Sequence, residues 1–110
     1  MSDKTKHTPG PWRTKREGFS TVYVEARIDG GLIQEVAACG PTEAGLEQQE
    51  ANARLIAAAP DLLEALQEMV AGDAEAIEEA QALGVPFSEN TLAAFRQAHA
   101  AIARATGETT

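Results

Sequence analysis

The chain has 110 residues, a net charge of −8 and one cysteine. This length suits one compact domain, so we expect residues 1–110 to form a single domain. A single cysteine excludes an intrachain disulfide, and no cysteine or histidine grouping has zinc-site spacing, so neither a metal nor a cofactor is expected. No apolar run approaches the ~20 residues of a membrane span, and the first ten residues are polar, so we expect a cytoplasmic protein with no membrane partner.

The charge is unevenly distributed along the chain. Residues 1–27 hold six lysines and arginines against three acids, a net charge of +3, which leaves −11 for the remainder. Because a strongly acidic body repels phosphate backbones, no duplex nucleic acid is expected as a partner. The basic N-terminal third could hold a small anion, or it could be a solvated strand, and the sequence leaves both readings open.

The N-terminal arm comes first in the chain. Met1–Lys6 is polar, and we expect it to be frayed. The segment His7–Trp12, HTPGPW, has two prolines that fix φ, which predicts a stiff, non-helical arm. Its terminal Trp12 is either a plug over the core or a stacking platform for a flat ligand.

A sheet is predicted over residues 12–39. A first strand covers Trp12–Arg16, and Thr21–Ile28 alternates apolar and polar residues with the period of a half-buried strand. Asp29–Gly31 supplies the positive-φ positions of a hairpin turn, after which Leu32–Cys39 returns. A three-residue loop predicts three cross-strand pairs: Ile28 with Leu32, Val24 with Val36, and Glu25 with Glu35.

Residues 42–106 are predicted to be helical, and the first helix is most secure from Leu46. Within it four residues share one face by their spacing, namely Asn52, Leu55, Ile56 and Ala59. The pattern therefore predicts that Asn52 is buried and hydrogen-bonded to a sheet edge or loop. Arg54 lies off this face, free to pair or to bind an anion, and Pro60 stops or kinks the helix.

Two further helical segments follow Pro60. The first has an apolar stripe that continues past Gly72, made of Leu62, Leu63, Leu66, Met69, Val70, Ile77, Ala80 and Leu83. The second begins at a Ser88 cap, with Phe87 and Leu92 spaced as a hydrophobic staple, and its inner stripe includes His99. The predicted fold is therefore α+β, with an antiparallel sheet of two or three strands packed against three or four helices.

No pattern of catalytic residues is present. A catalytic site needs a nucleophile with a base, paired carboxylates, a metal shell or a phosphate loop, and none of these is recognisable. We therefore expect a binding protein and not an enzyme. The residues able to contact a small anionic ligand are the aromatic, arginine and amide side chains Trp12, Arg13, Arg16, Tyr23, Arg27, Asn52 and Arg54.

Three segments carry a resemblance that covers nearly the whole chain. With HTPGPW at His7–Trp12, ANARLIAAAPDLLEAL at Ala51–Leu66 and AAIARATGE at Ala100–Glu108, the chain resembles a family of small proteins encoded by bacteriophages and prophages. The resemblance implies a phage accessory protein acting against host immunity. Its first form is a sponge that sequesters a host immune nucleotide, and its second is an acidic inhibitor or mimic directed at a host defence protein. A structural phage protein is the third reading.

Self-association is also expected. Much of the apolar content is alanine, which removes little area from water, so the core of a single chain would be thin. Alanine-rich helix faces also allow close approach. We therefore predict a homo-oligomer, most simply a dimer, with contacts around Ala57–Val70 and Leu92–Ile102.

Overall fold

The computed structural model describes residues 6–108, in which three strands precede three helices. The α+β fold is therefore confirmed, whereas the fraying expected for Met1–Lys6 lies, apart from Lys6, outside the described residues. The elements are β1 (Trp12–Glu17), β2 (Thr21–Arg27), β3 (Ile33–Cys39), α1 (Leu46–Ala57), α2 (Ala59–Leu83) and α3 (Glu89–Thr106). The chain divides into two compact units, Met1–Leu62 and Leu63–Thr110, and the single domain expected over residues 1–110 stays a prediction.

The sheet is antiparallel in the order β1-β2-β3, so β2 is central. A short 3₁₀ turn at Asp29–Gly31 joins β2 to β3, and the Ile28 amide donates to the Leu32 carbonyl at 2.8 Å. The predicted pairs Ile28 with Leu32 and Glu25 with Glu35 are thereby confirmed.

The predicted pair of Val24 with Val36 is wrong. Val24 lies opposite Ala37, because the register shifts between Val24 and Glu25 and leaves Val36 as an extra residue on β3. Such a bulge bends the strand and increases its twist. Val36 nevertheless packs against the core, so the apolar character of this face is kept.

The core of the first unit lies between the sheet and α1. Val22, Val24 and Ala26 are buried on one face of β2, and Ala53 of α1 is buried against Val22 and Val24. Gln49, one turn earlier on α1, is the fully buried polar side chain of the described residues. The inner face of α1 is therefore the face of Gln49 and Ala53.

The junction of α1 and α2 explains why Pro60 is compatible with helix here. The helix α1 ends at Ala57 and α2 begins at Ala59, so Pro60 lies in the first turn of α2, where its missing N–H breaks no helical hydrogen bond. A Cβ placed on Gly10 would lie 3.2 Å from the Pro60 Cβ. The N-terminal arm and the α1–α2 junction are therefore in close contact, which brings together two of the three segments that carry the resemblance.

The second unit is helical, and α3 has the predicted ends. The Ser88 hydroxyl accepts from the Thr91 amide at 3.1 Å, which confirms the cap, and Gly107 ends the helix with a φ of 79°. The helix α2 runs through Gly72 without a break, so residues 6–108 contain three α-helices. Within residues 6–108, no helix is long and apolar enough to cross a membrane.

Candidate functional site on the open face of the sheet

The two faces of the sheet have different surroundings. Val22, Val24 and Ala26 of β2 are directed toward α1, and the residues that alternate with them are directed the other way. The latter are Tyr23, Glu25 and Arg27, which are half-buried or exposed. We call the side of the sheet that they occupy the open face, because α1 packs on the opposite side.

Strand pairing brings three of the predicted ligand residues together on the open face. Arg13 of β1 lies directly opposite Glu25 of β2. Tyr23 and Arg27 flank Glu25 on the same face of β2, so both are diagonal neighbours of Arg13. Such neighbours have Cα atoms about 7–8 Å apart, within reach of long side chains. Arg13 therefore lies between Tyr23 and Arg27, which are themselves about 13 Å apart along β2, and we call these three residues of the open face the cluster.

The side chains around Tyr23 leave it accessible from solvent. It lies on the central strand, with Lys15 opposite on β1 and Ala38 opposite on β3. Ala38 contributes only a methyl group, and Lys15 is exposed and directed to Glu17, at 3.5 Å. The Tyr23 ring is half-buried, so the sheet supports it while part of its surface stays in contact with water.

The two arginines of the open face keep most of their donors free. Among the described residues, neither Arg13 nor Arg27 takes part in an ion pair. One Arg27 amino group donates to the Gly31 carbonyl at 3.4 Å, an exposed and long contact. Glu25 and Glu35 lie side by side across β2 and β3, so this face carries both signs of charge.

Arg16 lies on the opposite face of the sheet from Arg13, because the two residues are three positions apart on β1. Its Nε donates to a Glu50 carboxylate oxygen at 2.8 Å, and its two amino groups donate to the Gln49 side-chain oxygen and the Gly18 carbonyl. All three donor nitrogens are therefore occupied by protein acceptors. Arg16 joins β1 to α1, and the structure separates it from the open face.

Trp12 lies with the core and away from the cluster. It packs against the buried residues beneath α1, its indole N–H donates to the Thr8 carbonyl at 3.0 Å, and the ring of His7 meets it edge-on at 6.1 Å. This environment matches the reading of Trp12 as a core plug. Its aromatic face is engaged by protein groups.

The remaining two predicted residues lie on the exposed side of α1. The prediction that Asn52 is buried is wrong, because Asn52 is exposed, as is Arg54. The buried amide is Gln49, whose Nε2 donates to the Ser20 and Cys39 carbonyls at 3.0 and 2.8 Å. The helical spacing of Gln49, Ala53, Ile56 and Ala57 is compatible with this buried face of α1. The large apolar Leu55 instead favoured the face that contains Asn52, which is exposed.

The other chemically reactive side chains do not assemble a site. The stripe predicted for α3 is wrong at His99, which is exposed beside Phe95 at a ring separation of 6.0 Å. Cys39 is a free, half-buried thiol beside the core. In the part of the chain that the structure describes, no group of histidine, cysteine and acidic side chains could hold a metal ion.

A comparison with protein families places the chain. A family model described as Salmonella phage P22 protein Y8K6 matches residues 1–109. The chain belongs to this family. Membership confirms the resemblance to small phage-encoded proteins. No curated protein and no solved structure matches the chain.

Proposed function

We propose that this member of the phage family is a non-catalytic accessory protein that binds a small anionic nucleotide on the open face of its sheet. The observation that carries the proposal is the placement of Arg13, Tyr23 and Arg27 on one face of the sheet, away from α1. In its most specific form, the protein sequesters a host immune nucleotide in the cytoplasm of an infected bacterium. That form rests on the phage family and on the chemistry of the cluster.

Each residue of the cluster has a role in this proposal. The Tyr23 ring stacks on the base, an interaction worth about 1–3 kcal/mol per base. Arg13 and Arg27 present forked N–H donors to phosphate oxygens, which they can bind bidentately. Two charge-assisted contacts and one stacked base fit a nucleotide with one or two phosphates.

The acidic side chains beside the cluster favour a small ligand over a polymer. Glu25 lies directly opposite Arg13, with Glu35 beside it on β3, and carboxylates can accept hydrogen bonds from ribose hydroxyls. The same carboxylates repel a long phosphate backbone, as does the rest of this acidic chain. The proposed ligand is therefore a mononucleotide or a small cyclic nucleotide.

The proposal is tested by asking whether the purified protein retains a nucleotide and releases it intact on denaturation. Purified protein is incubated with a panel of mononucleotides, cyclic mononucleotides, cyclic dinucleotides and ADP-ribose derivatives, freed of unbound ligand and then denatured. Chromatography of the released material should recover one nucleotide intact. Release of a chemically altered nucleotide would show an enzyme, and no uptake across the panel would refute nucleotide sequestration by the purified protein.

Matched arginine variants locate the site. We expect Arg13→Ala and Arg27→Ala each to weaken binding about tenfold or more, because each removes a charge-assisted contact. Arg54→Ala is the control, since Arg54 is an exposed arginine of the same unit on α1. Equal loss in all three variants would indicate non-specific charge, and loss in the Arg54 variant alone would place the site on α1.

A second candidate function is supported by the charge of α2. This helix carries seven acidic residues and no lysine or arginine, as expected of a surface that occupies a basic groove of a host defence protein. Phage plating on a host with the relevant defence separates the candidates. Loss of protection with the Arg13 and Arg27 variants favours sequestration, and loss with Glu75, Glu78 and Glu79 changed to Gln favours the protein inhibitor.

A further inference from the structure

The helices of the second unit leave their apolar residues incompletely covered. No residue of α2 or α3 is fully buried, although α2 alone is 25 residues long, about 37 Å. Two helices alone cannot enclose a core between them. A core forms when further helices close over them, as in a four-helix bundle.

A line of exposed apolar residues runs along α2 at seven-residue intervals. Its members are Leu62, Met69, Ala76 and Leu83. The three large ones are 54 %, 66 % and 73 % exposed, which places them among the most exposed large apolar side chains of the chain. Residues seven apart on a helix lie nearly on one line, turning by about 20° per repeat, and this is the spacing of a helix-packing seam.

Gly72 is a second, independent observation that supports a packing seam on α2. It lies three residues after Met69, in the interior of α2, where a glycine costs up to about 1 kcal/mol relative to alanine. A Cβ added there would meet no atom within 4 Å in the single chain, so intrachain packing gives no reason for glycine. A helix from outside the chain, packed closely at this point, would give one.

The distribution of charge identifies the helix that covers the seam. The seven acids of α2 make a contact between two α2 helices repulsive, because Glu68 and Glu79 flank the seam. In contrast, α3 has two arginines: Arg96, which forms an exposed ion pair with Glu89 at 3.5 Å, and Arg104, which has no ion-pair partner among the described residues. An α3 helix therefore complements the flanks of α2.

We propose that two copies of this chain associate through a four-helix bundle in which the α2 seam of each copy packs against α3 of the other. The arrangement is isologous, so one two-fold axis covers both seams. It places Met69 and Leu83 in the interface and brings Arg96 or Arg104 beside the acids of the opposite α2. This proposal is independent of nucleotide binding, because the seam lies on α2 and the nucleotide site lies on β1 and β2.

The first test is the mass of the protein in solution, measured by light scattering and sedimentation. We expect a dimer for the unaltered chain, and a monomer or an at least 100-fold higher dissociation constant for Met69→Glu. Phe19→Glu is the matched control, because Phe19 is 87 % exposed in the first unit and should leave the dimer intact. Ala76→Glu, which places another charge on the seam with a residue that favours helix, should also weaken the dimer. Circular dichroism checks that both variants keep their helices.

The second test distinguishes a contact between α2 and α3 of the two copies from a contact between their two α2 helices. In a Cys39→Ala background, Met69→Cys protein is mixed with Ala93→Cys or Ala100→Cys protein and oxidised. The proposal predicts mixed disulfides between α2 and α3, and few between two Met69→Cys chains. A monomeric unaltered protein, a dimer unaffected by both glutamate variants, or preferential linkage of two Met69→Cys chains would each overturn it.

Discussion

Gln49 should contribute more to stability than any other polar side chain of α1. Its amide is fully buried, donates to the Ser20 and Cys39 carbonyls, and accepts from Arg16 at 3.0 Å. Gln49→Ala removes the donor from two backbone carbonyls and leaves a void. A buried polar group without its partner costs about 1–3 kcal/mol. Because Arg16 keeps Glu50 and Gly18, we expect a total loss of about 3 kcal/mol in the free energy of unfolding.

Urea unfolding, followed by circular dichroism and Trp12 fluorescence, measures this loss. Gln49→Glu keeps the length of the side chain and its contact to Arg16, but a carboxylate oxygen then faces the two carbonyl oxygens with no N–H between them, so it should lose at least as much as Gln49→Ala. The control is Asn52→Ala, which should stay within about 0.5 kcal/mol because Asn52 is exposed. A loss below about 1 kcal/mol for Gln49→Ala, or a Gln49→Glu variant as stable as the parent, would refute the reasoning.

Two further substitutions test local contacts by thermal unfolding. Gly10→Ala should lower the free energy of unfolding by about 1 kcal/mol, because its Cβ would crowd Pro60 at 3.2 Å, while Gly40→Ala, which meets no atom within 4 Å, should be nearly neutral. An equal effect at both glycines would contradict the contact between the arm and the α1–α2 junction. Ser88→Ala should cost about 1 kcal/mol through loss of the α3 cap, and an unchanged unfolding temperature would show that the cap adds nothing.

The order and type of the elements could be predicted from the sequence because local signals agree with them. Thr21–Arg27 alternates strictly, Ser88 caps α3, and Gly107 ends it. The β3 bulge could not be predicted, since Val36 and Ala37 are both apolar and either can continue the pattern. A one-residue insertion is then decided by packing against α1, which is not a local property of the strand.

The face of α1 was ambiguous because its buried residues are small. Ala53 gives less apolar signal than Leu55, yet Leu55 is 64 % exposed and Ala53 is fully buried. A close approach of helix and sheet selects the small residue, and this depends on tertiary packing. Gln49 was overlooked for the same reason, since its burial follows from the backbone carbonyls that surround it.

The candidate site could be predicted only in part. Arg13 and Arg16 are three residues apart on one strand, so they lie on opposite faces, and this parity was available from the sequence. The sequence could not show that Arg27 lies diagonal to Arg13, because that requires the β1–β2 register. The register is what turns three dispersed side chains into one cluster.

The most direct test of the central claim is an NMR titration of the labelled protein with the nucleotide that it retains. Binding on the open face predicts that shifts in the amide and side-chain resonances cluster at Arg13, Tyr23 and Arg27, while those of Arg54 stay unchanged. Shifts centred on α1, or an unperturbed spectrum with every nucleotide of the panel at millimolar concentration, would contradict nucleotide binding on this face.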